Sequence, residues 1–263
     1  MVHAKKRYGQ HFLQDAWAEK VVTAIDPQLD QRFVEIGPGP GALTLRLAHR
    51  VAHLTAIEVD RDMVAALAPK VPANVTLIQS DFLDVDLADL AGSHPLRAAG
   101  NLPYNVTSPI LFKLVDLHRR AKLVSDATLM VQREVADRIT ARPGTGDYGV
   151  LSISIQLHSD VQRVLALPPG AFRPAPKVHS ALVHFRFRPP AVPIADEGAF
   201  EAMVRSMFTQ RRKTLLNALG PYSASRGVHA GAALASADID PRRRPETLQL
   251  TELARLADYF ASA

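Results

Sequence analysis

The sequence predicts an α/β fold, a mostly parallel sheet with helices on both faces, followed by a small helical domain. Three observations predict it. From residue 32, short apolar runs alternate with stretches of helical spacing. A glycine-rich turn follows the first run. A stiff, donor-poor stretch, Arg188-Pro189-Pro190-Ala191-Val192-Pro193, separates this alternation from a remainder that is helical throughout. The expected division is residues 1–188 and residues 189–263.

The expected strands are Arg32 to Ile36, Leu54 to Val59, Val75 to Gln79, Leu96 to Ala99 and Ala127 to Val131. Between them, Leu43, Leu47 and Ala48, then Met63 and Leu67, then Ile110, Leu111, Leu114 and Val115 recur at helical spacing. Residues 178 to 187 alternate, with Ala181, Val183, Phe185 and Phe187 on one face and Leu182, His184 and Arg186 on the other, as a last strand of the sheet would. Leu151, Ile153, Ile155 and Leu157 fit a strand by period two, whereas Leu151, Ile155 and His158 fit a helix. Beyond the linker, Phe200, Met203, Val204, Met207 and Phe208 mark a helix expected to continue through Leu215, Leu216 and Leu219 and to stop at Gly220-Pro221. Leu253, Leu256, Ala257 and Phe260 mark a final one.

Composition bounds the function. The 263 residues are 47% hydrophobic and 22% charged, and mean hydropathy is near zero, at −0.01, as in ordinary globular proteins. No stretch approaches the roughly 20 apolar residues of a spanning helix, and no apolar segment follows the N-terminal charges, so a cytoplasmic protein without membrane association is expected. The absence of cysteine removes thiolate metal ligands and thiol nucleophiles, and no metal is expected. A formal net charge of +5 favours a polyanionic partner. The cations are bunched at Lys5, Lys6 and Arg7, at Arg119, Arg120 and Lys122, at Arg211, Arg212 and Lys213, and at Arg242, Arg243 and Arg244, which points to RNA.

The segment Phe33 to Gly41 reads as a strand, a turn carrying Gly37, Gly39 and Gly41, and the start of a helix, which lets the backbone pass close to a bound nucleoside. The next strand brings Glu58 to its carboxyl end, placed to accept from ribose hydroxyls. The third and fourth strands end near Asp81 and at Asn101. Four strands thus each place a turn glycine or a polar side chain at one edge of the sheet, where open α/β sheets bind ligands. This much would also serve a nicotinamide cofactor. What separates the two is Asn101-Leu102-Pro103-Tyr104. Methylating an adenine amine requires holding its two hydrogens: the amide oxygen of Asn101 and the main-chain carbonyl of Leu102 are suitable acceptors, Pro103 stiffens the loop, and Tyr104 offers a face for stacking. No general base is required, since the alkylated amine can lose its proton to water. Phe172, in Phe172-Arg173-Pro174-Ala175-Pro176-Lys177-Val178, is a candidate to cover the second face of a flipped adenine.

These residues resemble the ribosomal RNA adenine N6-dimethyltransferases over nearly the whole chain. The resemblance begins at Lys6-Arg7-Tyr8-Gly9-Gln10-His11-Phe12-Leu13 and runs through Val34 to Gly39, Ile57 to Asp60, Asn101 to Asn105 and Phe172 to Val178, as far as Gln210 to Leu215. It implies a Rossmann-like S-adenosylmethionine methyltransferase domain in which His11 and Leu13 join Gly37, Gly39, Glu58, Asp81 and Asn101 around S-adenosylmethionine. It implies that Tyr148-Gly149 opens a helix through Leu151 to Gln156. It further implies a monomer acting on small-subunit ribosomal RNA within an immature small ribosomal subunit, at two adjacent adenosines, with Lys5, Lys6, Arg7, Arg211, Arg212 and Lys213 as RNA contacts. Large-subunit enzymes of the resistance type share the front half, but Gln210 to Leu215 and the leucine of Asn101-Leu102-Pro103-Tyr104 favour the small-subunit type. A non-catalytic assembly factor on the same fold is the alternative of another class.

Overall fold

The computed structural model describes residues 10–91 and 94–262. It opens with strand β1 (Phe12–Leu13) and helix α1 (Asp15–Ile25), which buries Ala18, Val21, Val22 and Ile25, a single stripe at i, i+3, i+4 and i+7. Strand β2 (Arg32–Ile36) then leads into α2 (Thr44–Leu47), β3 (His53–Glu58) into α3 (Arg61–Leu67), β4 (Val75–Gln79) into α4 (Ala88–Ala91), β5 (Leu96–Asn101) into α5 (Thr107–Ala121), and β6 (Val124–Gln132) into α6 (Arg133–Ile139). Next come α7 (Val150–His158), β7 (Ser159–Leu167), β8 (Phe172–Arg173) and β9 (Ser180–Phe187). The remainder is α8 (Glu197–Thr209), α9 (Leu215–Ser225), α10 (Ala230–Ser236) and α11 (Leu250–Ser262).

Seven strands form the main sheet in the order β4-β3-β2-β5-β6-β9-β7. The first five in that order are parallel, and β9 runs antiparallel to β6. The chain leaves β2 for β3 on one side and comes back through β5 on the other, so the carboxyl ends of β2 and β5 flank a topological switch point. There Ile36 lies opposite Ile57 on one side and Gly100 on the other. A Cβ at Gly100 would sit 2.5 Å from the Ile36 carbonyl oxygen, so only glycine allows β5 its place. β2 and β3 are buried along almost their whole length, which explains their continuous apolar runs.

By its contacts the chain forms two compact units, residues 1–136 with 160–188, and residues 137–159 with 189–263. This corrects the division expected at 188 and 189: residues 137–159 belong with the helical unit. The reason is burial, because Tyr148, Ile153 and Leu157 share a core with Phe200, Met203 and Leu219. The first unit has its own core, in which Val21, Val22 and Ile25 of α1 meet Phe33, Leu54, Met130 and Leu182 of the sheet.

Residues 151 to 157 are helical, as the family resemblance implied: the Gly149 amide donates to Ser152 Oγ at 3.1 Å, and the helix buries Ile155 as well as Ile153 and Leu157, which produced the period-two pattern. Two further readings of the sequence change. β9 does not finish the sheet, because β7 lies beyond it. β7 escaped detection since only its two end residues are buried and Asp160, Gln162 and Arg163 interrupt any alternation. The helix expected through Leu215 breaks at Gln210 to Thr214, and α9 starts anew with its first amides donating to the Arg243 and Pro241 carbonyls at 2.7 and 3.2 Å. α9 then runs through Pro221 to Ser225.

Among the described residues no helix is long and apolar enough to cross a membrane.

Candidate active site

A cavity of about 260 Å³ opens at the switch point, bounded by the turn after β2, the ends of β3 and β5, the segment after β4, and the arm before α1. Gly37 and Gly39 hold positive φ angles of 68° and 54° there, which bends the chain away from β2 and aims amides inward. The Gly39 amide donates to Glu58 Oε2 at 2.9 Å, and the Asp60 amide to Glu58 Oε1, also at 2.9 Å. Each carboxylate oxygen keeps a second lone pair for a hydroxyl ligand. Burial pushes the Glu58 carboxyl above its ordinary range, against the amides that pull it down.

Beside it, Glu35 lines the same cavity and is 1% exposed. Its Oε2 has no hydrogen-bond partner among the described residues. Desolvation raises its pKa to about 8, and the neighbouring Glu58 charge adds to the rise. Hydrogen bonding to Thr44 opposes the rise without reversing it.

Asn101 ends β5, and its Nδ2 donates to the His11 carbonyl at 2.7 Å. Only the amide nitrogen can donate to a carbonyl, so the flip is fixed and Oδ1 remains the acceptor. The Leu102 amide donates to Met130 O at 3.1 Å, and the Leu102 side chain is buried. Pro103 O accepts from Val106 N and from Thr107 Oγ1, which turns the chain into α5. Tyr104 is half-buried, its hydroxyl 3.2 Å from Ser180 Oγ and its ring stacked on the His11 imidazole at 5.7 Å between centroids. Burial raises the phenol pKa.

The N-terminal arm is fastened across the site. Phe12 and Leu13 pair antiparallel with Arg173 and Phe172, His11 Nδ1 donates to the Pro174 carbonyl at 2.7 Å, and the Gln14 amide donates to Ala171 O at 2.9 Å. His11 and Leu13 therefore both reach the cavity. Asp81 lies on its wall as well, exposed, with Oδ1 accepting from the Leu83 amide at 2.9 Å.

Phe172 is placed otherwise than the sequence led one to expect. Its ring is 2% exposed and packs in the core with Leu13, Met130 and Leu182, so it does not line the cavity. Its partner in the β1–β8 ladder, Leu13, draws it inward. Phe12 lines the site instead, beside Phe82 and Tyr104: a Cβ at Gly39 would meet its ring at 3.3 Å. Sequence reasoning gave no role to Phe12, Glu35 or Phe82. For Glu35 a signal existed, an acid in the middle of an apolar run.

Of the basic residues expected to meet RNA, Lys5, Lys6 and Arg7 lie outside the described residues. Arg211, Arg212 and Lys213 sit in the turn between α8 and α9, not on a helix face. Arg211 donates to the Thr145 and Gly146 carbonyls, while Arg212 and Lys213 are exposed. Among the described residues no group of three or more His, Cys, Asp or Glu could hold a metal ion.

A comparison with known families now meets this geometry. The family described as Ribosomal RNA adenine dimethylase matches residues 1–262. The chain belongs to the ribosomal RNA adenine dimethylase family. Its curated relatives include Ribosomal RNA small subunit methyltransferase A of Nitrosococcus oceani, 43% identical over 99% of this chain and 97% of that protein. The protein of the same name from Xanthomonas oryzae pv. oryzae is 44% identical over 97% and 95%. A dimethyladenosine transferase from Plasmodium falciparum shares the fold at a TM-score of 0.79, covering 96% of this chain and 98% of that one at 21% identity. The 23S rRNA methyltransferase ErmE superposes with a TM-score of 0.68 at 27% identity, covering 95% and 99%. This dimethylase is thus an enzyme of methyl transfer with a Rossmann-like domain, and the cavity lies in that domain.

Proposed function

We propose that this dimethylase transfers methyl groups from S-adenosylmethionine to N6 of two adjacent adenosines in small-subunit ribosomal RNA, giving N6,N6-dimethyladenosine. The observation that carries the reading is the fixed flip of Asn101, whose amide nitrogen donates to the His11 carbonyl and which lines the cavity together with Tyr104. The relatives named Ribosomal RNA small subunit methyltransferase A support the choice of subunit.

The residues fit the cofactor. S-adenosylmethionine is cationic at its sulfonium and its amine, and the cavity offers the unpartnered Oε2 of Glu35 and the carboxylate of Asp81. Glu58, anchored by two amides, would take the ribose hydroxyls. His11, Leu13, Gly37 and Gly39 would close around the remainder. When bound, the cofactor supplies an electrophilic methyl carbon that leaves a neutral thioether behind.

The protein's part is to hold the acceptor. Asn101 Oδ1 and the Leu102 carbonyl accept the two N6 hydrogens, which turns the nitrogen lone pair out of the ring and toward the cofactor. Tyr104, held by Ser180 and His11, supplies the stacking face. Neither Asn101 nor Leu102 takes up the proton; it leaves the alkylated nitrogen for water. Phe172, buried here, would meet a flipped base only if its loop were drawn out by RNA. Lys5, Lys6, Arg7, Arg212 and Lys213 would contact phosphates, with Arg211 bracing their turn. The protein would act in the cytoplasm as a monomer on immature small subunits.

The test is methyl transfer from labelled S-adenosylmethionine to small subunits lacking the modification, followed by nucleoside mass spectrometry. Dimethyladenosine at adjacent positions is expected. Label confined to naked large-subunit RNA would shift the target, and no label on any substrate would leave a binding-only assembly factor.

A further inference from the structure

Lys113 lies in the second turn of α5, and its ammonium nitrogen is 2.7 Å from the Phe82 carbonyl, 2.9 Å from that of Leu83 and 2.6 Å from that of Val85. A lysine has three N–H donors and no acceptor, so one loop occupies the whole of its hydrogen-bonding capacity. The same ammonium stands 5.1 Å from the centroid of the Phe82 ring. That loop follows β4 directly, and its first three residues, Ser80, Asp81 and Phe82, form one wall of the cavity. Asp81 is itself tied to the loop through the Leu83 amide. Partial burial lowers the pKa of this ammonium, and the nearby acids Asp84, Asp86 and Asp81 oppose the fall without cancelling it.

The loop between β4 and α4 also buries Phe82 and Leu87, and its Asp81 and Asp86 carboxylates accept from the Leu83 and Ala88 amides, each at 2.9 Å. Within it, the Asp84 amide donates to Asp81 O at 3.0 Å and the Val85 amide reaches Phe82 O only at 3.4 Å. An ammonium that gathers three converging carbonyls is a stronger constraint than either, because each bond is charge-assisted. The helix that carries it starts three residues after Tyr104, and its Ile110 also lines the cavity.

We infer that Lys113 is a positioning residue for the cofactor: it fixes the loop that presents Asp81 and Phe82, and so joins that wall of the cavity to the helix that follows the Asn101 to Tyr104 loop. The inference rests on the reading of the cavity as the S-adenosylmethionine site. Lys113 touches no reacting atom, so its loss acts on cofactor binding and leaves the transfer step alone. It acts through Asp81, so its effect depends on Asp81 being present.

The experiment is a double-mutant cycle on the full-length protein, with S-adenosylmethionine affinity read by calorimetry and turnover read on small subunits at saturating cofactor. Lys113→Met is expected to raise the cofactor Kd about tenfold, with kcat within about twofold of wild type and RNA affinity unchanged. In an Asp81→Asn background the same substitution is expected to change the Kd by less than about twofold. If Lys113→Met does not fold, as judged by circular dichroism, Lys113→Gln replaces it in the cycle. Wild-type affinity in the Lys113 variant, or effects that simply multiply with those of Asp81→Asn, would overturn the inference. Failure of the wild-type protein to bind S-adenosylmethionine would instead remove the cofactor reading beneath it.

Discussion

At the scale of single residues, Asn101 and Glu35 carry the clearest expectations. Asn101→Ala removes an acceptor held in place by His11, and kcat should fall by about 10² or more. Near-normal turnover on small subunits would end its assigned role. Glu35 titrates with a sign that can be worked out. Its folded pKa, about 8, lies above the ordinary 4.5, so the folded state holds a proton that the unfolded state has already released between those values. The stability this contributes is full below pH 4.5 and is lost as pH rises through about 8. Thermal unfolding of the ligand-free protein should therefore show Tm falling across that window, and Glu35→Gln should flatten the fall. An unchanged slope in the variant would contradict the burial argument. These two residues were not equally legible. Asn101 announced itself by its place after a strand and before Pro103 and Tyr104, whereas Glu35 showed in the sequence only as an acid within an apolar run, and its burial and unpartnered oxygen are visible only in three dimensions. Phe172 misled for the same reason, since an aromatic before prolines looks alike whether it faces a ligand or a core.

Whole elements follow from short stretches of sequence, and their boundaries from capping. α8 begins where Asp196 accepts from the Ala199 amide at 2.9 Å, and α3 where Asp60 accepts from Asp62. The parallel strands could be read because burial on both faces gives unbroken apolar runs. β7 could not, since its middle faces solvent. α1 was passed over, although its stripe of Ala18, Val21, Val22 and Ile25 is regular. At this scale Gly100 is the sensitive position. Gly100→Ala would force a Cβ to 2.5 Å from the Ile36 carbonyl, and β2 and β5 would have to part. We expect a loss of about 2 kcal/mol or more in urea unfolding, together with weaker cofactor binding, because both strands end at the cavity. A variant as stable as wild type would show that the sheet yields more easily than its register suggests. In the helical unit, Tyr148 is 1% exposed and its hydroxyl has no partner among the described residues. Tyr148→Phe should leave stability unchanged or raise it by about 1 kcal/mol; a clear fall in Tm would reveal a partner for the hydroxyl.

For the molecule as a whole, the sequence showed two bodies and one of the three crossings between them, and missed the other two. The proline-rich stretch after Arg188 marks one junction well. Residues 137–159 lack any such punctuation, because the chain passes out of the first unit and back within ordinary helix and strand. Native-state hydrogen exchange should group α7 with α8, α9 and α11, with which it shares a core, and Leu219→Ala should lower protection in all of them together. Protection in α7 that instead follows β6 would restore the boundary first expected.

The small ladder between β1 and β8 sets an order of events during synthesis. His11 and Pro174 are 163 residues apart in sequence, so the chain ends they join must wait for almost two-thirds of the protein to be made. Closing a loop of that length costs roughly 4 to 5 kcal/mol of entropy by polymer scaling, and nothing local returns it. The arm that supplies His11 and Leu13 is thus the first part of the site to leave the ribosome and the last to take its place. A nascent chain halted before Pro174 has its glycine turn and Asn101 already made, yet remains an open crevice, unable to hold its ligand until β8 and Pro174 are free to receive the arm.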